Sequence, residues 1–170
     1  MSALPHLRLL ARYKAWADDV IYDAAARLPA GEAEKPRQSV FRNLVHMLNH
    51  VYVIDRVFQC HLEGRAHGYT ARNTERYPPL PELAQMQREM DRWYVDWADR
   101  QTEVALGERV DFEYIGGGAG SMTRGEILLH VVNHATYHRG FVADFFYQGP
   151  VRPPATDFTV FLRDARPDLE

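Results

Sequence analysis

Apolar positions along the chain fall into four long runs at helical spacing. Over residues 5 to 28, Leu7, Leu10, Ala11, Trp16, Ala17, Val20, Ile21, Ala24 and Ala25 recur every three or four places, which gives a helix one dry side. Pro5 suits its first turn, and Leu28-Pro29 with Gly31 ends it. The second run extends from about Ser39, a cap, to Gly64, a stop, through Phe41, Leu44, Val45, Leu48, Tyr52, Val53, Phe58 and Leu62. The third runs from near Pro81 to about Thr102 and carries Leu83, Met86, Met90, Trp93, Tyr94 and Trp97. Aromatic residues at that spacing supply core area. The fourth, Thr123 to Phe146, opens with Thr123 and Glu126 as a capping box and stops before Gly149-Pro150.

Between the third and fourth runs the period changes. RVDFEYIGGGAGSMT alternates Val110, Phe112 and Tyr114 with polar residues and then turns on Gly116, Gly117, Gly118 and Gly120. A short strand or β-hairpin with a flexible turn fits this. GGGAG lacks the lysine of a phosphate-binding P-loop. Residues 65 to 80, with Pro78-Pro79, read as a loop, and Asp157 to Leu162 as a short extended or helical segment. The expected fold is all-α: a four-helix bundle with a short β-hairpin or strand-like insertion before the last helix, in a single domain over residues 1–170.

Composition narrows the function more than the fold. Net charge is -3 without a basic tract, which argues against nucleic acid as a partner. No run of about 18 apolar residues occurs and the N-terminus lacks a signal-peptide layout, so no membrane partner is expected. The single Cys60 suits a reducing, cytoplasmic setting.

Histidine is the oddity. Eight occur, and five lie in two short runs, HMLNH (46–50) and HVVNHATYH (130–138). On the fourth helix His130, His134 and His138 are each four residues after the last, so they share one face with about 6 Å of rise between neighbours. A His pair at i, i+4 is a metal-ligand spacing, and His-x-x-Asn-His recurs on the second helix. A metal between the two helices competes with a buried polar layer, which would need a hydrogen-bond partner for every ring nitrogen. The fourth helix offers the pairs 130/134 and 134/138 and the second offers His46 or His50, so spacing alone secures only His134. Asn49 and Asn133 are candidates to support the ligands, or simply polar positions. Asp55 lies about 140° round the helix from His50, and Cys60 about 280° round and roughly 15 Å along, so neither joins the same metal. His6 and His67 are expected in solvent, Tyr137 and Arg139 point about 100° from the ligand face, and Glu126 serves its cap before it could serve as a base.

The pairing of LVHMLNHVYVIDRVF with ILLHVVNHATYHRGF, in that order, resembles the DinB family, which is distinct from the DNA polymerase of that name. The resemblance begins at LARYKAWADDVIYDAAARLP and runs to DFTVFLRDARP; its most specific part is Asn133, His134, Thr136, His138, Arg139 and Gly140. Many relatives carry a further His where this chain has Tyr137. The resemblance implies a metal triad of His50, His134 and His138, with His46 and His130 as neighbours above or below it. It also implies an up-down-down-up bundle, antiparallel second and fourth helices, and a homodimer. Characterised relatives include transferases and isomerases that use bacillithiol, mycothiol or glutathione. The expected activity is therefore a metal-dependent thiol S-transferase acting on a small-molecule substrate, with a divalent ion (nickel, zinc or iron) and a low-molecular-weight thiol as co-substrate. A non-catalytic metal-binding stress-response protein and a metal-hydroxide hydrolase are the alternatives.

Overall fold

The computed structural model describes residues 2–165; the last two residues of the DFTVFLRDARP segment lie outside that range. Four long helices form the body: α1 (Leu4–Ala26), α2 (Leu44–Leu62), α3 (Leu80–Asp99) and, after the short α4 (Glu103–Leu106) and the strands β1 (Arg109–Glu113) and β2 (Ala119–Thr123), α5 (Arg124–Tyr147). A last short helix, α6 (Phe158–Asp164), packs against α1.

Helix ends follow local chemistry. At α5 the capping box forms: Thr123 Oγ1 accepts from Glu126 N, and Glu126 Oε2 accepts from Thr123 N at 2.6 Å. The second helix begins later than its pattern suggests. Ser39 is not the cap; Asn43 is, in extended backbone, with its Oδ1 accepting from His46 N at 2.8 Å. The Asn43 amide also donates to Glu34 O and Tyr77 Oη, so it ties two loops to the helix start, which Ser39 does not. β1 and β2 pair antiparallel from Arg109↔Thr123 to Glu113↔Ala119, and Gly116, Gly117 and Gly118 take φ of 93°, 96° and 99° at the tip. That left-handed run is available to glycine at little cost. GGGAG is thus a hairpin turn.

Side-chain pairs set the helix directions. Arg12 near the start of α1 reaches Asp99 at the end of α3, whereas Arg88 early in α3 reaches Asp19 and Asp23 late in α1, so α1 and α3 are antiparallel. His50 of α2 meets His138 of α5 while Phe58 meets His130, so this pair is antiparallel too. Leu7 lies beside Gly125 and Tyr13 beside Arg139, which makes α1 and α5 parallel. The result is up-down-down-up, with α1 and α2 each packed between α3 and α5.

Two apolar clusters fill the bundle. One gathers Leu7, Ala11, Ile54, Phe58, Met90, Tyr94, Trp97, Ile127 and Val131; the other gathers Ile21, Tyr22, Leu44, Met47, Leu48, Leu83, Ala135, Val142 and Phe146. Between them lies a buried charged layer. Lys14 Nζ stands 2.8 Å from Asp18, 2.7 Å from Asp55 and 2.5 Å from Asp91, and Gln87 donates to both Asp55 and Asp91. Arg139 joins from α5, 3.6 Å from Asp18 and donating to Tyr13 Oη. Every long helix contributes a member. A lysine closed on three carboxylates in a dry core is a register device in the sense that any slip of one helix leaves a charge without its partner.

Candidate metal centre

α2 and α5 bring three imidazoles together. Ring centroids of His50 and His138 lie 4.7 Å apart, His134 and His138 4.3 Å, and His50 and His134 5.2 Å. Each residue offers a ring nitrogen, and the three nitrogens lie within 4.8 Å of one another. A tetrahedral ion with bonds of ~2.1 Å separates its nitrogens by roughly 3.4 Å, so small side-chain rotations close this set on one ion. Nδ1 of His134 and of His138 is buried without a hydrogen-bond partner. Such orphaned lone pairs are costly in a polar layer and useful in a ligand set, so the group fits a metal better than it fits internal hydrogen bonding.

Burial keeps the rings neutral, which is the form that binds metals. It is the main reason His134 is pushed down to about 2 and His138 to about 4; neighbouring imidazoles add to both. His50 is lowered for the same reason. Its Nδ1–H donates to Arg72 O at 2.9 Å, which fixes the tautomer and leaves Nε2 for a ligand. The carbonyl is held in turn by Asn49, whose Oδ1 accepts from Thr74 N at 3.0 Å and Thr74 Oγ1 at 3.1 Å. Asn49 therefore supports the site through the loop, whereas Asn133, its echo on α5, is exposed.

The other histidines divide. His130 lines the cavity beside the triad, 5.7 Å from His134, and packs on Phe58. His46 does not reach the cavity; its Nδ1 accepts from Arg42 N. His67 is half-buried against His61 and Tyr69, not free in solvent, because the 65–80 loop folds back over the end of α2. Asp55 points into the charged layer, Cys60 is fully buried away from the triad, and Glu126 stays at its cap. Arg139 turns away into the charged layer, but Tyr137 does line the cavity mouth, its ring 5.0 Å from that of His138.

A cavity of about 620 Å³ adjoins the three rings. Its walls include Phe41, Ile54, Val57, Phe58, His61, Phe112, Ile115 and His130; among the described residues Arg72 supplies the single charged side chain and no carboxylate lines it. His61, Phe112 and Arg72 are among the contributors that escaped the sequence reading. His61 gave no i, i+4 partner to flag it, and Phe112 sits in a hairpin that carried no chemical motif. The charged layer was missed too, although Lys14 and Asp18 interrupt the apolar stripe between Ala11 and Ile21.

The class that this architecture defines is an up-down-down-up helical bundle with a three-histidine group able to hold a metal ion. The DinB family model matches residues 1–169, and the chain belongs to the DinB family. It is 27% identical over 158 residues to Protein DinB of Bacillus subtilis (strain 168), covering 90% of this chain and 91% of that protein. The fold is also that of a DinB-like protein from Bacillus cereus ATCC 10987, whose crystal structure gives a TM-score of 0.66 at 18% identity over 85% of this chain and 91% of the other. Among the described residues, no helix is long and apolar enough to cross a membrane.

Proposed function

We propose that His50, His134 and His138 bind one divalent ion, nickel, zinc or iron, and that the protein is a metal-dependent thiol S-transferase. The observation that carries this is a neutral, partly orphaned imidazole triad on the wall of an apolar cavity large enough for a small-molecule substrate. Three protein ligands match catalytic sites, whereas structural zinc is closed by four. The chemistry such an ion supplies is ionisation of a thiol at neutral pH. The thiol has to come from outside, because Cys60 is buried and its own ionisation is suppressed by burial. The apolar walls exclude water and hold the electrophile, and the loop carbonyl of Arg72 orients His50.

A cavity beside the triad counts against a purely metal-storing role. Among the described residues no carboxylate lines its walls, so a metal-hydroxide hydrolase would have only the imidazoles of His61 and His130 as a general base. The test is turnover of a panel of electrophiles with glutathione or bacillithiol by protein loaded separately with each metal. Loss of electrophile that requires both thiol and metal is expected. Stoichiometric metal binding with no thiol-dependent rate anywhere in the panel would sink the transferase reading.

A further inference from the structure

The cavity has two ends of different character. At one lie the triad and Phe41. At the other, past His130, the walls become aromatic: Phe58 lies 4.5 Å from His130 and 5.6 Å from Phe112, and His61 stacks on Phe112 at 4.7 Å with 24° between planes. Phe112 is the contribution of the hairpin, and it is directly paired with Gly120 across the two strands. A Cβ at position 120 would stand 2.5 Å from Phe112 Cε2 and 2.7 Å from Cζ. The tip of the Phe112 ring therefore lies over the glycine, in space that any side chain there would enter.

We propose that this distal arm binds a flat, apolar, uncharged ring of the electrophilic substrate, and that Gly120 determines this specificity by letting Phe112 form one wall. The idea rests on the reading of the triad as a substrate-facing metal site and names what that site accepts. Three features choose the ligand. The arm is walled by the rings of Phe58, Phe112, His61 and His130 and by aliphatic carbon, so burial of a phenyl-sized group is favourable there. Among the described residues no carboxylate lines the cavity to hold a cation. The one charged side chain, Arg72, is exposed and belongs to the loop beside His50, so an anionic group would sit at the triad end and not in the arm. Gly120→Ala would force the Phe112 ring, the free end of its side chain, off the strand and into the arm. Phe112→Ala would remove the wall.

Cobalt(II)-loaded protein provides the test, with imidazole, 1-(2-phenylethyl)imidazole and 1-(2-cyclohexylethyl)imidazole as probes and the cobalt absorption bands as the readout. The phenylethyl probe should bind at least tenfold more tightly than imidazole and severalfold more tightly than its non-planar counterpart. In both Phe112→Ala and Gly120→Ala the phenyl-over-cyclohexyl ratio should fall to about one. A ratio near one in the unaltered protein, or a ratio that survives Phe112→Ala, overturns the proposal. If Phe112 were only core, Phe112→Ala would lower the melting temperature and leave the ratio intact. Should Gly120→Ala fail to fold, Phe112→Leu tests the same wall while keeping its bulk. If no probe perturbs the cobalt bands, the metal-site reading fails instead, and transferred NOEs from 3-phenylpropanol to the Phe112 ring in metal-free protein still decide for or against the arm.

Discussion

Two groups of three ligand-type side chains lie in this bundle, five residues or ~7.5 Å apart along α2. Asp18, Asp55 and Asp91 converge as closely as His50, His134 and His138 do. The carboxylates already have a cation: Lys14 Nζ sits within 2.8 Å of each. The imidazoles have no side-chain cation among them; two of their nitrogens are buried without a partner, as is Asp55 Oδ1 in the carboxylate layer. Convergence of donors is therefore not what marks a metal site. What separates the two groups is what they face: the carboxylates surround the ammonium of Lys14, whereas the imidazoles line a cavity.

Their charge states differ as well. Lys14 and Arg139 against three carboxylates leave one negative charge in excess, and a dry interior resists that. The layer accordingly keeps a proton, and Asp91 is pushed up to about 7, by burial first and by the other two carboxylates after it, against the pull of Lys14. The titration belongs to the layer as a unit. The imidazoles go the other way: burial strips their protons.

The largest expected difference is in metal affinity. His134→Ala should weaken metal binding by a thousandfold or more, roughly 4 kcal/mol, with helix content unchanged; equilibrium dialysis with metal analysis checks it, and retained one-to-one binding would refute the ligand assignment. Lys14→Met should act on folding instead. It removes the ammonium that Asp55 and Asp91 face, leaving only Arg139 beside Asp18, and should cost about 3–5 kcal/mol in chemical denaturation. Adding Asp55→Asn and Asp91→Asn, while Asp18 keeps Arg139 as its partner, should recover much of that loss, and a harmless single Lys14→Met would show that the layer is not the clamp described. A smaller effect is expected at Asn49. Asn49→Ala frees the loop that presents Arg72 O to His50 and should weaken metal binding by about tenfold, with little change in melting temperature of the metal-free protein.

The most discriminating contrast is with pH. Between about pH 4 and 7 the folded protein holds a proton on the Asp91 layer that the unfolded chain has released. Stability therefore falls as pH rises through that window, by at most ~1.4 kcal/mol per unit for one proton. The imidazoles contribute the opposite slope: held neutral when folded, they lose stability as pH drops below about 6.5. Denaturation of metal-free protein and of Asp91→Asn from pH 5 to 7.5 separates the two. The variant should lack the falling component and show a steeper rise with pH; identical curves would mean that Asp91 carries no proton.

Much of this molecule was legible in its sequence. Four stripes of period 3.6 gave the bundle, since an amphipathic helix has one way to bury its dry face. The Thr123–Glu126 box marked the start of α5, and spacing singled out His134 as common to both His pairs of the fourth helix. The choice of His50 over His46, and of His138 over His130, was not. Each pair lies on one helix face, and only the antiparallel docking of α2 on α5 decides which turns meet. The start of α2 was missed because Asn43 is fixed by partners in two distant loops.

What the sequence by itself determined is local: periodicity, caps, turns and the supply of imidazoles, all set by residues within a few positions of one another. The tertiary structure alone decided what each polar group faces. Lys14 and His134 both sit on largely apolar helix faces, yet one finds three carboxylates from three helices and the other finds a cavity. That outcome depends on which helices are neighbours and in what register, and the free energy that fixes it is summed over contacts between residues far apart in the chain.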